Sequence, residues 1–219
     1  MIDKLLDFNR SLTEFVVGSE GNASLRESDR FYIKASGVSM RDTMKHQVFV
    51  CDLWGTPLEH REGKPSMEIG FHSWIYRNLE VSAIAHTHPT NTMKILCSDI
   101  VSDFASNRLF PDQVVFNGSR ACIVEYAQPG KELEYNISLA IENYLKAHSQ
   151  TPRLILLKNH GIITLGSSEK ECVISTQICE KASEIFIGSF LLGKTVFLDQ
   201  TKIIELENNT DEIYRRNQR

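Results

Sequence analysis

The sequence predicts an α/β protein in which helices cover a central sheet. Two short apolar runs, 81–85 and 153–157, have the length and β-rich composition of buried strands. Other segments have the length and the spacing of apolar residues that are typical of helices, and the longest of them covers 168–192. No internal repeat, low-complexity tract or linker interrupts the pattern. We therefore expect residues 1–219 to form one domain, with a polar and mostly helical tail from about Leu198.

The amino-terminal part is predicted to contain two helices separated by three strands. Apolar side chains at near-helical spacing predict a first helix that ends at Gly18. Ser66 is the expected N-cap of the second helix, and Glu68 lies in its first turn, where the helix dipole favours an acid. The predicted elements are a helix over 2–17, strands over 21–26, 31–34 and 48–52, and a helix over 67–79.

The remainder alternates predicted strands and helices around one segment, 99–113, that shows no clear pattern. The residues 162–165 are expected to return as the hairpin partner of the strand before them. The predicted elements are strands over 81–85, 114–116, 121–124, 153–157 and 162–165, and helices over 90–97, 130–147 and 168–192.

The composition excludes several classes of partner. The 219 residues carry a formal net charge of −4 with a pI of about 6.0, and no basic stripe predicts nucleic-acid binding. The amino terminus lacks the pattern of a signal peptide, and the apolar stretch 185–192 is too short to span a membrane. Five scattered cysteines without a CxxC pair are typical of small buried thiols in a reducing compartment, so we expect a cytoplasmic protein.

Three histidines at the ends of predicted strands indicate a metal site. His86 and His88 are two residues apart on an extended segment, so they face the same way, and Pro89 then stops the strand. His160 ends the second apolar strand in the same manner. Unrelated histidines are the alternative, but two strand ends carrying the same residue type favour a metal site. Three imidazoles with an open fourth position are typical of catalytic zinc, although manganese, cobalt or iron would also be possible.

A carboxylate close to such a metal could act as a base. Glu68 is the candidate, because a turn leads into the amino terminus of a helix at this position. The alternative is that Glu68 only stabilises the helix through its dipole. His72 lies on the same helix face four residues later, where contact with Glu68 or with the metal ligands is one alternative and a packed structural histidine is the one we favour. The turns 19–22 and 36–37 expose backbone N–H groups that could bind an anion, with Ser66 and Lys34 adding a hydroxyl and a positive charge.

Together these motifs resemble the class II aldolase/adducin family of metal-dependent enzymes. The resemblance covers about residues 5–195 and implies an α/β/α fold around a mixed, mainly antiparallel sheet. It further implies a homotetramer with active sites at the subunit boundaries. The matching motifs are Gly21-Asn22-Ala23-Ser24, Ser36-Gly37, Pro65-Ser66-Met67-Glu68 with His72, Ala85-His86-Thr87-His88-Pro89, and Asn159-His160-Gly161.

The resemblance also implies roles for individual residues. His86, His88 and His160 would bind zinc, and Glu68 would be the acid/base that approaches the metal when no substrate is bound. The residues expected to hold a substrate phosphate are Ser19, Asn22, Ser36, Gly37 and Ser66.

The chain departs from the family's pattern at three places. Met67 stands where the aldolases often carry a second serine, and Glu20 adds a negative charge to the loop expected to hold the phosphate. The segment 108–113 lacks the tyrosine that serves as a general acid. Asp112 in that segment is one candidate for this role. Tyr214 is another, since family tails can reach a neighbouring subunit, although it could also be an anchoring aromatic on a surface helix.

The implied function is a metal-dependent lyase that cleaves a small phosphorylated ketose reversibly to dihydroxyacetone phosphate and an aldehyde. The same metal site in relatives supports dehydration, decarboxylation or epimerisation of a sugar phosphate. The family's epimerase typically has aspartate at the position of Glu68, which weakens that alternative. A non-catalytic interaction module like the adducin head is disfavoured, because that module lacks the metal ligands and all three histidines are present here.

Overall fold

A seven-stranded sheet runs through the centre of the protein. The structure, a computed structural model, describes residues 1–217. The spatial order of the strands is β3-β2-β1-β4-β7-β6-β5, and every neighbouring pair is antiparallel except β5 and β6. This confirms a mixed, mainly antiparallel sheet. The strands are β1 (Asn22–Glu27), β2 (Arg30–Lys34), β3 (Val48–Asp52), β4 (Ala83–Thr87), β5 (Cys122–Val124), β6 (Leu154–Leu157) and β7 (Gly161–Gly166).

Helices cover both faces of the sheet, which confirms the α/β/α arrangement. Alternate side chains along each strand enter different cores, as the pleat requires. Ile163 of the seventh strand packs in the core on one face, and Ile162 packs in a core on the other. The helices are α1 (Ile2–Ser11), α2 (Ile69–Asn78), α3 (Thr90–Leu96), α4 (Val101–Ser106), α5 (Pro111–Asn117), α6 (Lys131–His148), α7 (Glu169–Leu192), α8 (Gln200–Glu207) and α9 (Thr210–Asn217).

Two of the predicted helices have different ends in the structure. The first stops at Ser11 and continues as a 3-10 turn over Thr13–Phe15, so the prediction of a helix to residue 17 was wrong. The hydroxyls of Ser11 and Thr13 donate to Phe8 O and Arg10 O, which competes with further helical bonding.

The second helix begins at Ile69 instead of residue 67. Ser66 is not its N-cap, because Glu68 occupies that position. The backbone N–H of Ser66 instead donates to Lys34 O, and Pro65 forms a bridge with Ala35. This pairing keeps residues 65 and 66 extended against the end of β2, so the helix can begin only after them.

The segment that showed no pattern contains α4 and the start of α5. The predicted strand over 114–116 is wrong, because these residues lie within α5, which begins with Pro111 at its first turn. Val114, Val115 and Phe116 are all buried, and a short apolar run fits a buried helix as well as a strand. Cys97 is exposed, which corrects the expectation that all five cysteines are buried. Among the described residues no helix is both long and apolar enough to cross a membrane.

Glu180 of α7 closes the amino terminus of α3, which starts directly after the His86–His88 segment. Its carboxylate oxygens accept from the backbone N–H groups of Asn91 at 2.8 Å and Thr92 at 2.9 Å. The hydroxyl of Thr92 donates to the same carboxylate at 3.0 Å. The long helix therefore fixes where the chain turns after the strand that carries His86.

A buried arginine joins α4 and α5. Arg108 is 1% exposed, and its Nε and Nη1 atoms donate to the carbonyls of Gly118, Ala105 and Asn107 at 2.5, 3.1 and 2.6 Å. These carbonyls lie at or beside the carboxyl ends of the two helices, where the helix itself provides no donors. The guanidinium thus satisfies the carbonyls of Asn107 and Gly118, whereas Ala105 O also accepts from the backbone N–H of Ala121 at 2.9 Å.

We expect Arg108→Met to lower the free energy of unfolding by about 2–4 kcal/mol, because the carbonyls of Asn107 and Gly118 would lose these hydrogen bonds. Urea denaturation would measure this loss. Arg41→Met is the matched control, since Arg41 is exposed, and it should change stability by less than about 0.5 kcal/mol. Equal stability of the two variants would contradict the role assigned to Arg108.

Candidate active site

Three histidine side chains converge where β4, β6 and β7 meet. His86 lies in β4, His88 follows its end, and His160 lies in the turn between β6 and β7. The pairing of β7 with both neighbouring strands brings this turn beside the end of β4. One ring nitrogen of each histidine lies within 4.8 Å of those of the other two.

The ring nitrogens of this triad suit a divalent cation. His86 Nδ1 donates to Ile162 O at 2.9 Å, so its Nε2 presents a lone pair, and His88 Nε2 lies 3.1 Å away. Burial lowers the pKa of each of the three histidines to about 4, so all are neutral near pH 7. Neutral imidazoles whose lone pairs face a common point are the ligands that zinc prefers.

The carboxylate of Glu68 lies against the same point. Its Oε2 atom is 3.3 Å from His86 Nε2, and its Oε1 atom is 3.4 Å from His160 Nε2. The side-chain amide of Asn22 donates to Oε2 at 2.7 Å, whereas Oε1 is buried without a hydrogen-bond partner among the described residues. One carboxylate oxygen is therefore held in place, and the other is available for a metal, a substrate or a proton.

A cavity of about 300 Å³ opens beside Glu68 and His88. The turn 19–22, the turn 36–37 and Ser66 all line it. The structure thus brings together every residue predicted to bind a phosphate, namely Ser19, Asn22, Ser36, Gly37 and Ser66. A larger cavity, of about 600 Å³, lies between α1 and α7 and contains none of the three histidines.

Lys34 supplies a buried positive charge to the smaller cavity. Its side chain is 2% exposed, and its ammonium donates to Val38 O at 2.7 Å and Ser19 O at 3.4 Å. Burial lowers the pKa of Lys34 to about 8, and the negative charge of Glu68 partly opposes this shift. No carboxylate of the described residues forms an ion pair with it within 4.0 Å.

The two residues that depart from the family's pattern also line this cavity. Glu20 accepts from the backbone N–H of Val17 at 3.0 Å and lies 3.5 Å from His88 Nδ1. Met67 is 68% exposed, so it forms part of the cavity's rim. The charge of Glu20 is therefore directed towards a histidine and a backbone amide.

Asp112 and Tyr214, the two candidate general acids, do not line the cavity that holds Glu68. Asp112 lies in the first turn of α5 and forms an ion pair of 2.6 Å with Arg215. Tyr214 is 66% exposed on α9. Within one chain, the structure does not bring either side chain to the histidine triad.

Two polar residues behind Asn22 were given no role from the sequence, although Ser24 belongs to the motif at residues 21–24. Ser24 and Tyr76 are fully buried and hydrogen-bond to each other, and Ser24 also bonds to His72. Asn22 and Ser24 are two residues apart on a strand, and His72 and Tyr76 are four residues apart on a helix. Each spacing places the two side chains on the same face of its element. Partners across two elements could not be read from spacing alone.

The family model described as "Class II Aldolase and Adducin N-terminal domain" matches residues 4–187. The L-fuculose phosphate aldolase of Methanococcus maripaludis is 30% identical over 174 residues, which cover 78% of this chain and 87% of that protein. The 3-oxo-tetronate 4-phosphate decarboxylase of Haemophilus influenzae is 28% identical over 209 residues, covering 93% of this chain and 94% of the relative.

A solved structure of an L-fuculose 1-phosphate aldolase shares the fold. The two structures superpose with a TM-score of 0.81 at 21% sequence identity, over 94% of this chain and 93% of the other. At this identity the match establishes the architecture but not the reaction, which must be argued from the chemistry of the site.

Gly161 allows the triad to close, because a Cβ atom there would lie 2.5 Å from His88 Cδ2 and 2.6 Å from Thr87 O. We expect Gly161→Ala to weaken zinc binding about tenfold or more, since ligand positions must shift. Competition with a chromophoric chelator would measure the affinity. Gly188→Ala, with nothing within 4 Å of its added Cβ, is the control and should bind zinc normally. Unchanged affinity in both variants would contradict this steric role.

Proposed function

Because this chain belongs to the class II aldolase and adducin family, we propose that it is a metal-dependent lyase. Its reaction would be the reversible aldol cleavage of a small phosphorylated ketose to dihydroxyacetone phosphate and an aldehyde. The convergence of three neutral imidazoles and the Glu68 carboxylate at the end of a serine- and glycine-lined cavity carries this proposal.

His86, His88 and His160 would hold the metal, and zinc is the ion that three imidazoles favour. A bound divalent cation would polarise the substrate carbonyl and stabilise the negative charge that develops on carbon–carbon cleavage. The protein's own contribution is to keep the three rings neutral and oriented. Burial achieves the first, and contacts such as His86 Nδ1 to Ile162 O achieve the second.

Glu68 would move the proton at the carbon that becomes nucleophilic. In the synthetic direction its Oε1 atom takes that proton from dihydroxyacetone phosphate, and in the cleavage direction it returns the proton. The hydrogen bond from Asn22 to Oε2 supports this assignment, because it fixes the carboxylate while leaving Oε1 free.

The cavity would hold the phosphate away from the reacting carbon. Ser36 and Ser66 offer hydroxyls, the turns offer backbone N–H groups, and Lys34 offers a charge without a carboxylate partner. Fixing the phosphate positions the reacting carbon beside Glu68, which lowers the entropic part of the barrier.

We further propose a homotetramer with sites at subunit boundaries. Asp112 and Tyr214 then remain candidates for the general acid of a neighbouring subunit's site, since both lie away from the cavity of their own chain.

Decarboxylation of a keto-acid phosphate is the second candidate reaction. The Haemophilus influenzae decarboxylase aligns over 93% of this chain, more than the 78% aligned with the Methanococcus maripaludis aldolase. Both reactions develop negative charge on an oxygen next to the cleaved bond, so the same metal site would serve either. Dehydration or epimerisation would use it in the same way.

Proton exchange into dihydroxyacetone phosphate, followed by NMR in deuterated water, tests the aldolase proposal. We expect metal-dependent exchange that a chelator removes and that Glu68→Gln lowers at least about 100-fold, because the base is lost. Glu142→Gln, which changes an exposed acid on α6, is the matched control and should exchange normally.

Absence of exchange from wild-type protein with bound metal would contradict the aldolase proposal. Incubation with candidate keto-acid and methylthio-sugar phosphates, with products identified by mass, would then separate decarboxylation from dehydration.

Lys34→Met is expected to raise the KM for the phosphorylated substrate about 10- to 100-fold, because a charge-assisted hydrogen bond to the phosphate is lost. In the wild type the pKa of Lys34 is about 8, so KM should rise as the pH increases through 8 and the ammonium loses its proton. The variant should lack this rise, whereas Lys146→Met, an exposed control, should keep it. Identical pH dependence of KM in all three proteins would refute the role of Lys34.

A further inference from the structure

A row of buried polar side chains leads from Glu68 into the protein interior between β1 and α2. Asn22 and Ser24 are two residues apart on the strand, and His72 and Tyr76 are four residues apart on the helix. The exposed fractions of these four side chains are 2%, 0%, 0% and 1%. Since a buried polar group without a partner is costly, each must find its hydrogen bonds within the row.

Four short contacts connect this row without a gap. Tyr76 OH and Ser24 Oγ are 2.7 Å apart, and Ser24 Oγ lies 2.7 Å from His72 Nδ1. His72 Nε2 lies 2.5 Å from Asn22 Oδ1, and Asn22 Nδ2 lies 2.7 Å from Glu68 Oε2. The row therefore ends on the carboxylate proposed to move the substrate's proton.

The direction of every hydrogen bond follows from that carboxylate, which can only accept. Asn22 must present its NH₂ group to Glu68, so its carbonyl oxygen faces His72 and needs a donor. His72 Nε2 must then carry the ring's hydrogen, which leaves Nδ1 to accept from Ser24. Ser24 in turn accepts from Tyr76, so every donor in the row points towards Glu68.

From this geometry we propose that His72 is a positioning residue for Glu68, supported by Ser24 and Tyr76. The row cannot conduct protons, because the amide of Asn22 neither gains nor loses one under ordinary conditions. Its effect is orientation: it prevents the Asn22 amide from turning its oxygen towards the carboxylate. Oε2 of Glu68 is then held by a donor, and Oε1 stays directed at the triad and the substrate.

The inference deepens the proposed function and rests on it, since it concerns the same carboxylate. It also gives a role to His72. This histidine is not part of the triad, and it lies four residues after Glu68 in the sequence. The ring of His72 stacks on Phe71 with centroids 4.4 Å apart, so a purely structural packing role is the competing account.

Two substitutions of His72 separate positioning from packing. His72→Phe keeps an aromatic ring but removes both nitrogens, and His72→Gln keeps a donor near the position of Nε2 but loses the ring. We expect His72→Phe to lower kcat for proton exchange about 10- to 100-fold with zinc content unchanged, and His72→Gln to recover most of that loss. A packing role predicts the reverse order, and phenylalanine as active as glutamine would overturn the proposal.

Ser24→Ala tests the part of the row that lies beyond His72 from Glu68. The matched control is a substitution that removes a buried hydroxyl elsewhere. Thr176→Val removes a hydroxyl that bonds to Thr164 and Cys172 O, away from Glu68. Both variants should lose stability, but only Ser24→Ala should lower kcat while KM changes little. Equal kcat in the two variants would count against the row.

The tautomer of His72 gives a measurement that does not depend on activity. Long-range ¹H–¹⁵N correlation spectra of the histidine-labelled, zinc-loaded protein should show the hydrogen on Nε2 of His72. A hydrogen on Nδ1 would overturn the proposed direction, whatever the substrate is. If wild-type protein shows no proton exchange, the proposed function fails, whereas the spectrum still decides the arrangement of the row.

Discussion

The close approach of three imidazoles and a carboxylate is the constraint on which this site depends. The nitrogen atoms of His86 and His88 are 3.1 Å apart, and the Glu68 carboxylate lies 3.3 and 3.4 Å from His86 and His160. Removing these polar groups from water costs free energy, so the rest of the fold must hold them together. The antiparallel pairing of β7 with both β4 and β6 does this, because it sets the turn that carries His160 beside the end of β4. Gly161 permits the close approach, since it has no side chain to fill the space.

The parts of this arrangement that depend on short-range rules could be predicted from the sequence. The histidines follow two apolar runs, which predicts that they lie at the ends of two strands. The two-residue period of a strand then places His86 and His88 on the same face. Elements governed by longer-range contacts could not be predicted. The run Val114–Phe116 is buried in either conformation, and the helix after Ser66 starts late because residues 65 and 66 pair with the end of β2. The partners of His72 could not be predicted for the same reason, since Ser24 and Asn22 lie on a strand 48 and 50 residues earlier.

Opposite charges line the cavity, and each is restrained by the backbone. The ammonium of Lys34 is held by the carbonyls of Val38 and Ser19, whereas the carboxylate of Glu20 accepts from the N–H of Val17. The two groups do not form an ion pair with each other, so neither charge is cancelled. An anion that enters the cavity can therefore approach Lys34, while Glu20 stays on the side of His88. The unusual acid is thus compatible with a phosphorylated ligand.

The cap that Glu180 places on α3 has a consequence for the anion-binding capacity of that helix's amino terminus. A helix that starts directly after a metal ligand would offer its free N–H groups to any anion near the metal. Here the groups of Asn91 and Thr92 are already bound by the carboxylate of α7, whose charge also repels anions. The first N–H groups of α3 are therefore not available to an anion, and a charged contact joins α3 to α7 at this end.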